Sequence, residues 1–123
     1  MRIIAGEAKG RPLKGPKGPG LRPTSDRVRE SIFNILGQWL DGLTVLDLFA
    51  GTGALAFESL SRGAARAVLV DKGREALKLA RENAVDLGFE ARCEILASAV
   101  GPRLAQALGS RGPFDLVFAD PPY

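Results

Sequence analysis

The chain has 123 residues, 46% hydrophobic and 25% charged, with 17 Lys and Arg against 14 Asp and Glu. That is ordinary soluble-globular composition for one domain with a real core, and no apolar run approaches the ~18 residues of a membrane span. With no His and one Cys, Cys93, the sequence excludes His-based acid–base chemistry, Ser-His-Asp triads, His/Cys zinc sites and a disulfide framework; a reducing, cytoplasmic setting fits.

Residues 1–23 form a basic, Gly- and Pro-rich arm with no apolar signal core, so no secretory targeting is predicted. Residues 1–40 carry eight Lys and Arg against three acidic residues, whereas residues 41–123 carry nine against eleven. A basic arm on a near-neutral body suggests a polyanion, most plausibly nucleic acid, with Arg2, Lys9 and Arg11 among its contacts; a solubilising surface is the alternative. "RIIAG" and "RPLKG" can pair as short strands, and "KGPKGPGLRP" is a loop. A helix then starts near Thr24 or Ser25 and runs to Gly42, with Val28, Ile32, Ile35 and Trp39 on one apolar face.

Four strand–helix units follow within a 24–123 domain. Thr44–Phe49 is a strand that breaks at Gly51 and Gly53, and a helix follows to Gly63. Ala67–Val70 is the second strand, closed by Asp71. The helix from about Gly73 puts Leu77, Ala80, Ala84 and Leu87 on one side and stops at Gly88. Ala91–Leu96 is a third strand, Gly101–Leu108 a short helix entered through Pro102, and Asp115–Ala119 a fourth strand. Continuously apolar strands alternating with helices predict an α/β fold, a parallel sheet covered on both faces in order 3-2-1-4.

Gly51, Gly53 and Ala56 satisfy G-x-G-x-x-[GA] between a strand and a helix, and Asp71 ends the next strand 18 residues after Gly53. The glycines let a ligand touch the main chain, and the acid can accept both hydroxyls of a ribose. This points to a nucleoside cofactor, with NAD and S-adenosylmethionine fitting about equally. Asp47, at the end of the first strand, begins to separate them. It would repel a pyrophosphate but favours a sulfonium or ammonium; a brace for the loop is its plainer role. At the end of the fourth strand, Asp120-Pro121-Pro122-Tyr123 offers acceptors beside a flat ring. That suits a planar amine such as a nucleobase, although Asp-Pro-Pro is also good turn chemistry.

In this order the motifs resemble a class I S-adenosylmethionine-dependent methyltransferase with a Rossmann-like fold. "RIIAGEAKGRPL", "LRPTSDRVRESIFNIL" and "VLDLFAGTGALAFESLSRGA" resemble the RsmD-type enzymes, which methylate the N2 amine of a guanine in small-subunit ribosomal RNA. The resemblance implies that Asp47, Phe49, Gly51 and Gly53 shape the cofactor pocket and Asp71 holds its ribose. Ser98 and Ala99 lie where the adenine is held, Ser98 standing where other members often have Asn. Asp120, Pro121 and Tyr123 would hold the guanine amine and ring. Arg22, Thr24, Arg27 and Arg29 lie in the motif expected near RNA. The expected partner is small-subunit ribosomal RNA within a ribosomal particle, with no metal and no membrane. The family continues past the Pro-Pro motif, so the resemblance implies a domain whose C-terminal part is absent. Another amine (adenine, cytosine or a glutamine side chain), an NAD-binding module, or an RNA-binding remnant are the alternatives.

Overall fold

The computed structural model describes residues 1–16 and 25–121. Arg22, Thr24 and Tyr123 lie outside the described residues.

Four parallel strands form one sheet in the order β3-β2-β1-β4: β1 is Thr44–Leu48, β2 Arg66–Asp71, β3 Cys93–Ala97 and β4 Leu116–Ala119. The order is the expected one. Ala67, Val68, Leu69 and Val70 are all within 1% of full burial, which is why the strand reads as an unbroken apolar run. The helices are α1 (Asp26–Leu36), α2 (Ala54–Ser61), α3 (Arg74–Leu87) and α4 (Pro102–Leu108). A short 3-10 turn, Glu90–Arg92, takes the place of the first residues expected in the third strand.

The larger apolar core joins α1, α2 and α3 to one sheet face; Leu104 of α4 packs with Leu46, Val68 and Val70 on the other. Phe57 and Phe89 stack at 6.3 Å between ring centroids, and Phe33 meets Phe118 edge-on at 6.1 Å. On α3 the buried side is Leu77, Ala80, Ala84 and Leu87, as its periodicity predicts, and Gly88 closes the helix in the left-handed conformation. The arm belongs to the same core through Ile3, Ala8 and Leu13. Its two segments do pair, through Ile3 N–H to Arg11 C=O (2.9 Å) and Leu13 N–H to Met1 C=O (2.9 Å). They form an isolated antiparallel bridge, Arg2 with Pro12, and not the expected pair of strands.

The first helix departs from expectation. Ser25 caps it, accepting from the Val28 amide at 3.2 Å, but it ends at Leu36, with Gly37 at φ +110°, and does not reach Gly42. Its buried residues are Arg29 and Phe33, whereas Val28, Ile35 and Trp39 of the expected apolar face are exposed. The helix is rotated because Glu58 on α2 and the Arg2 carbonyl of the arm claim Arg29; a helix face one residue over lies about 100° away.

That rotation leaves Val28, Ile32 and Leu36 beside Leu55, Leu116, Val117, Phe118 and Ala119 in an open groove of about 410 Å³. Among the described residues, no strand pairs with the outer edge of β4. An unpaired apolar edge is a template for association. The chain is expected to self-associate as its concentration rises. Val117→Lys, on the exposed face of that edge, should shift sedimentation towards monomer. Sedimentation of the parent chain that does not change from micromolar to hundreds of micromolar would contradict this.

Candidate functional site

The site lies at the carboxyl ends of β1, β2 and β4. Parallel pairing aligns these ends: Leu48 is in register with Val70 of β2 and with Ala119 of β4. The next residues along each strand leave the sheet on one side. In open α/β sheets this is where ligands bind.

The glycine loop between β1 and α2 is held from below. Ala50 N–H donates to Val70 C=O (2.8 Å), and Gly51 N–H donates to Asp71 Oδ2 (2.8 Å). Gly53 has φ +90°, and a Cβ there would sit 2.3 Å from the Phe57 ring, so this glycine is needed for packing. At Gly51, φ is +60° and a Cβ would meet nothing within 4 Å, so the main chain faces open space there. Phe49 enters the loop at φ +57°, an uncommon conformation for a bulky side chain and one that collects at functional sites.

Phe49, Val70, Asp71, Lys72, Ser98, Ala99 and Val100 line a cavity of about 60 Å³. Phe49, Asp71, Ser98 and Ala99 are thus brought together, with Lys72 and Val100 as additions the motifs did not signal. Both Asp71 oxygens already accept main-chain amides, Gly51 N–H and Gly73 N–H, each at 2.8 Å. Ser98 is fixed by its amide, which donates to Asp71 C=O (3.0 Å), while its hydroxyl turns back to Ala99 C=O.

Asp47, the penultimate residue of β1, is 2% exposed. Its Oδ2 is buried without a hydrogen-bond partner. Burial pushes its carboxyl up to about 8; a hydrogen bond with the Ala56 main chain opposes this, and Asp120 and Asp71 add to it by repulsion. Three carboxylates therefore converge on one end of the sheet. An unpartnered buried oxygen beside two further acids is a site suited to a cation. The donor set fits S-adenosylmethionine, with its sulfonium and ammonium, better than a pyrophosphate.

Asp120 is exposed at the end of β4 and borders the apolar groove, and Pro121 follows it half-buried. Of the residues expected to meet RNA, Arg2, Lys9, Arg11 and Arg27 are exposed. Arg2 donates to Gly10 C=O (2.6 Å), and Arg11 to Asp86 C=O. Arg29 is a correction. It is fully buried, donating to Glu58 Oε1 (3.3 Å), Arg2 C=O (2.7 Å) and Asp26. A side chain enclosed in this way braces the fold and has no surface to offer RNA. Among the described residues, no group of three or more His, Cys, Asp or Glu could hold a metal ion, and no helix is long and apolar enough to cross a membrane.

Residues 1–123 match the family model described as conserved hypothetical protein 95. Ribosomal RNA small subunit methyltransferase D of Escherichia coli (strain K12) is 41% identical over 124 residues, covering 100% of this chain and 60% of that protein. YlbH of Bacillus subtilis (strain 168) is 40% identical over 123 residues, covering 100% of this chain and 67% of that protein. The solved structure of yhhF from Escherichia coli superposes with a TM-score of 0.81 at 37% identity, covering 100% of this chain and 64% of that one. The chain thus spans 60–67% of the length of these relatives.

Proposed function

Because the chain belongs to the conserved hypothetical protein 95 family, the family of the RsmD-type ribosomal RNA methyltransferases, and has their Rossmann-like fold, we propose that it binds S-adenosylmethionine and serves methyl transfer to the N2 amine of a guanine in small-subunit ribosomal RNA. The observation that carries this reading is the convergence of Asp47, Asp71 and Asp120 at the carboxyl end of the sheet. When bound, S-adenosylmethionine supplies an electrophilic methyl group.

The chain's own residues do the rest. Asp47 Oδ2 accepts from a cationic part of the cofactor. Asp71, already oriented by two amides, retains lone pairs for ribose hydroxyls. Phe49 and Val100 give the cavity its apolar wall, and Ser98 and Ala99 its polar edge, for an adenine. Asp120 and the Pro121 carbonyl would accept from the substrate amine and so orient its nitrogen lone pair for transfer. Positioning and charge complementarity supply the acceleration, and no strong base is required before attack. Arg2, Lys9, Arg11 and Arg27 remain to meet the RNA backbone, with the ribosomal particle in the cytoplasm as its setting. A nicotinamide dinucleotide fits less well, because its pyrophosphate would lie against three acids.

Two measurements test the reading. Calorimetric titration with S-adenosylhomocysteine should give saturable binding by the folded chain; its absence would refute the cofactor assignment. Asp120→Ala, in the full-length protein, should lower methyl transfer to undermethylated small subunits by about a hundredfold, as expected when a reacting group is misplaced. Cofactor-analogue affinity should hardly change. An unaltered rate would remove Asp120 from its role.

A further inference from the structure

Asn83 lies on α3 with none of its surface exposed. Its Oδ1 accepts the Lys14 amide (2.8 Å), and its Nδ2 donates to Lys14 C=O (3.1 Å) and to Thr52 C=O (3.0 Å). The Lys14 amide can only donate, which fixes the oxygen of the carboxamide on that side and leaves the nitrogen facing Thr52. One buried side chain thus spends both its donors on two segments that do not otherwise meet in sequence. Thr52 is the buried centre of the glycine loop, between Gly51 and Gly53. Lys14 lies in the N-terminal arm, and its ammonium pairs with Glu82 (3.7 Å) and Asp86 (3.3 Å) on the same helix as Asn83.

We propose that Asn83 is a positioning residue that couples the glycine loop to the N-terminal arm, so that occupancy of the loop by the cofactor is felt at Lys14. The inference rests on the cofactor reading given above, which makes the loop the cradle. Its physical basis is the cost of a buried carboxamide that loses a partner. If the Thr52 carbonyl turns, one of the two Nδ2 donors is orphaned unless the amide group turns with it, and that turn withdraws Oδ1 from the Lys14 amide. Ordering the loop therefore orders the arm. The same linkage runs backwards, because coupling between two sites is reciprocal. A polyanion held on the arm strengthens cofactor binding.

The test is amide hydrogen exchange at Lys14 with and without saturating S-adenosylhomocysteine. In the parent chain, protection of the Lys14 amide is expected to rise several-fold when the analogue binds. Asn83→Asp keeps the size and the Oδ1 acceptor but loses both donors. It should bind the analogue more weakly, and its Lys14 protection should no longer respond. A merely structural Asn83 would lower baseline protection in the variant yet leave the response to the analogue intact, and that result overturns the coupling. Should the variant fail to fold, the parent chain decides: bound analogue with unchanged Lys14 protection equally overturns it. A folded parent chain that binds no analogue is a different failure, which strikes the cofactor reading itself and removes the coupling with it.

Discussion

Asp47→Asn is expected to stabilise the ligand-free chain above pH 8 and to flatten its stability between pH 5 and pH 8. The Asp47 carboxyl is raised to about 8, chiefly by burial. Unfolded, it returns to the ordinary carboxylate range near ~4. Between those two values the folded chain binds the extra proton, so stability falls as pH rises. The contribution is fully present below pH ~4 and fully lost above about 8. At ~1.4 kcal/mol per pH unit over roughly four units, the loss is on the order of 5 kcal/mol, a large part of a typical domain's stability. Urea midpoints at pH 6 and pH 9 measure the upper half of it: the parent chain should lose about 3 kcal/mol between them, and the Asn variant should lose little. Cofactor binding should show the opposite trend. A cation held by Asp47 needs the carboxylate, so binding below pH 8 releases a proton. Analogue affinity should therefore rise by up to tenfold per unit towards pH 8 and then level off. Asp47→Asn removes that slope. Flat affinity across pH 6 to 8 in the parent chain, or no proton release in calorimetry with two buffers, would sink the assignment.

Much of this arrangement was legible because local pattern and tertiary placement coincide. The buried strands read as apolar runs, and a Gly-rich turn after the first of them, followed by an acid after the second, places Gly51 against Asp71. Strand ends that align in a parallel sheet then bring Asp120 near Asp47. The third helix was legible for the same reason, since its period matches the face it buries. The first helix was not. Its most regular apolar set, Val28, Ile32, Ile35 and Trp39, is largely exposed, while the charged Arg29 turns inward. No local rule anticipates that, because the partner that draws Arg29 inward is Glu58, 29 residues away in sequence. Asn83 was missed for a related reason. It sits next to Ala84 and three residues after Ala80, on the buried side of α3. A polar side chain on an otherwise apolar helix face is the signal that could have found it.

Glu58→Leu is expected to undock the N-terminal arm and to destabilise the chain by about 4 kcal/mol or more. Glu58 is fully buried at the centre of a charged network. Its Oε1 accepts the Ile4 amide (2.9 Å) and Arg29 Nη1 (3.3 Å); its Oε2 accepts the Ala5 amide (3.1 Å) and Arg62 Nε (2.9 Å). Arg62 is 1% exposed, its guanidinium 4.5 Å from the centre of the Phe33 ring and 2.8 Å from Gln38 Oε1. Leucine would leave two guanidiniums and two amides without their common acceptor. Breaking a buried pair by removing one partner costs about 3–5 kcal/mol, and each orphaned amide about 1–3 more, set against relaxation that lets water in. The arm should feel this first, since Ile4 and Ala5 are tied to α2 by this carboxylate. Hydrogen exchange at those two amides should therefore rise before the sheet is affected. Glu58→Gln, which keeps shape and one acceptor, should fall between parent and Leu. The triple variant Arg29→Met, Glu58→Leu, Arg62→Met should regain most of the loss, because buried charges replaced together by apolar groups cost little. If Glu58→Leu alone moved the urea midpoint by less than about 1 kcal/mol, within the range of an ordinary surface change, the network would not be what holds the arm. The arm's grip then would fall to Ile3, Ala8 and Leu13 in the core.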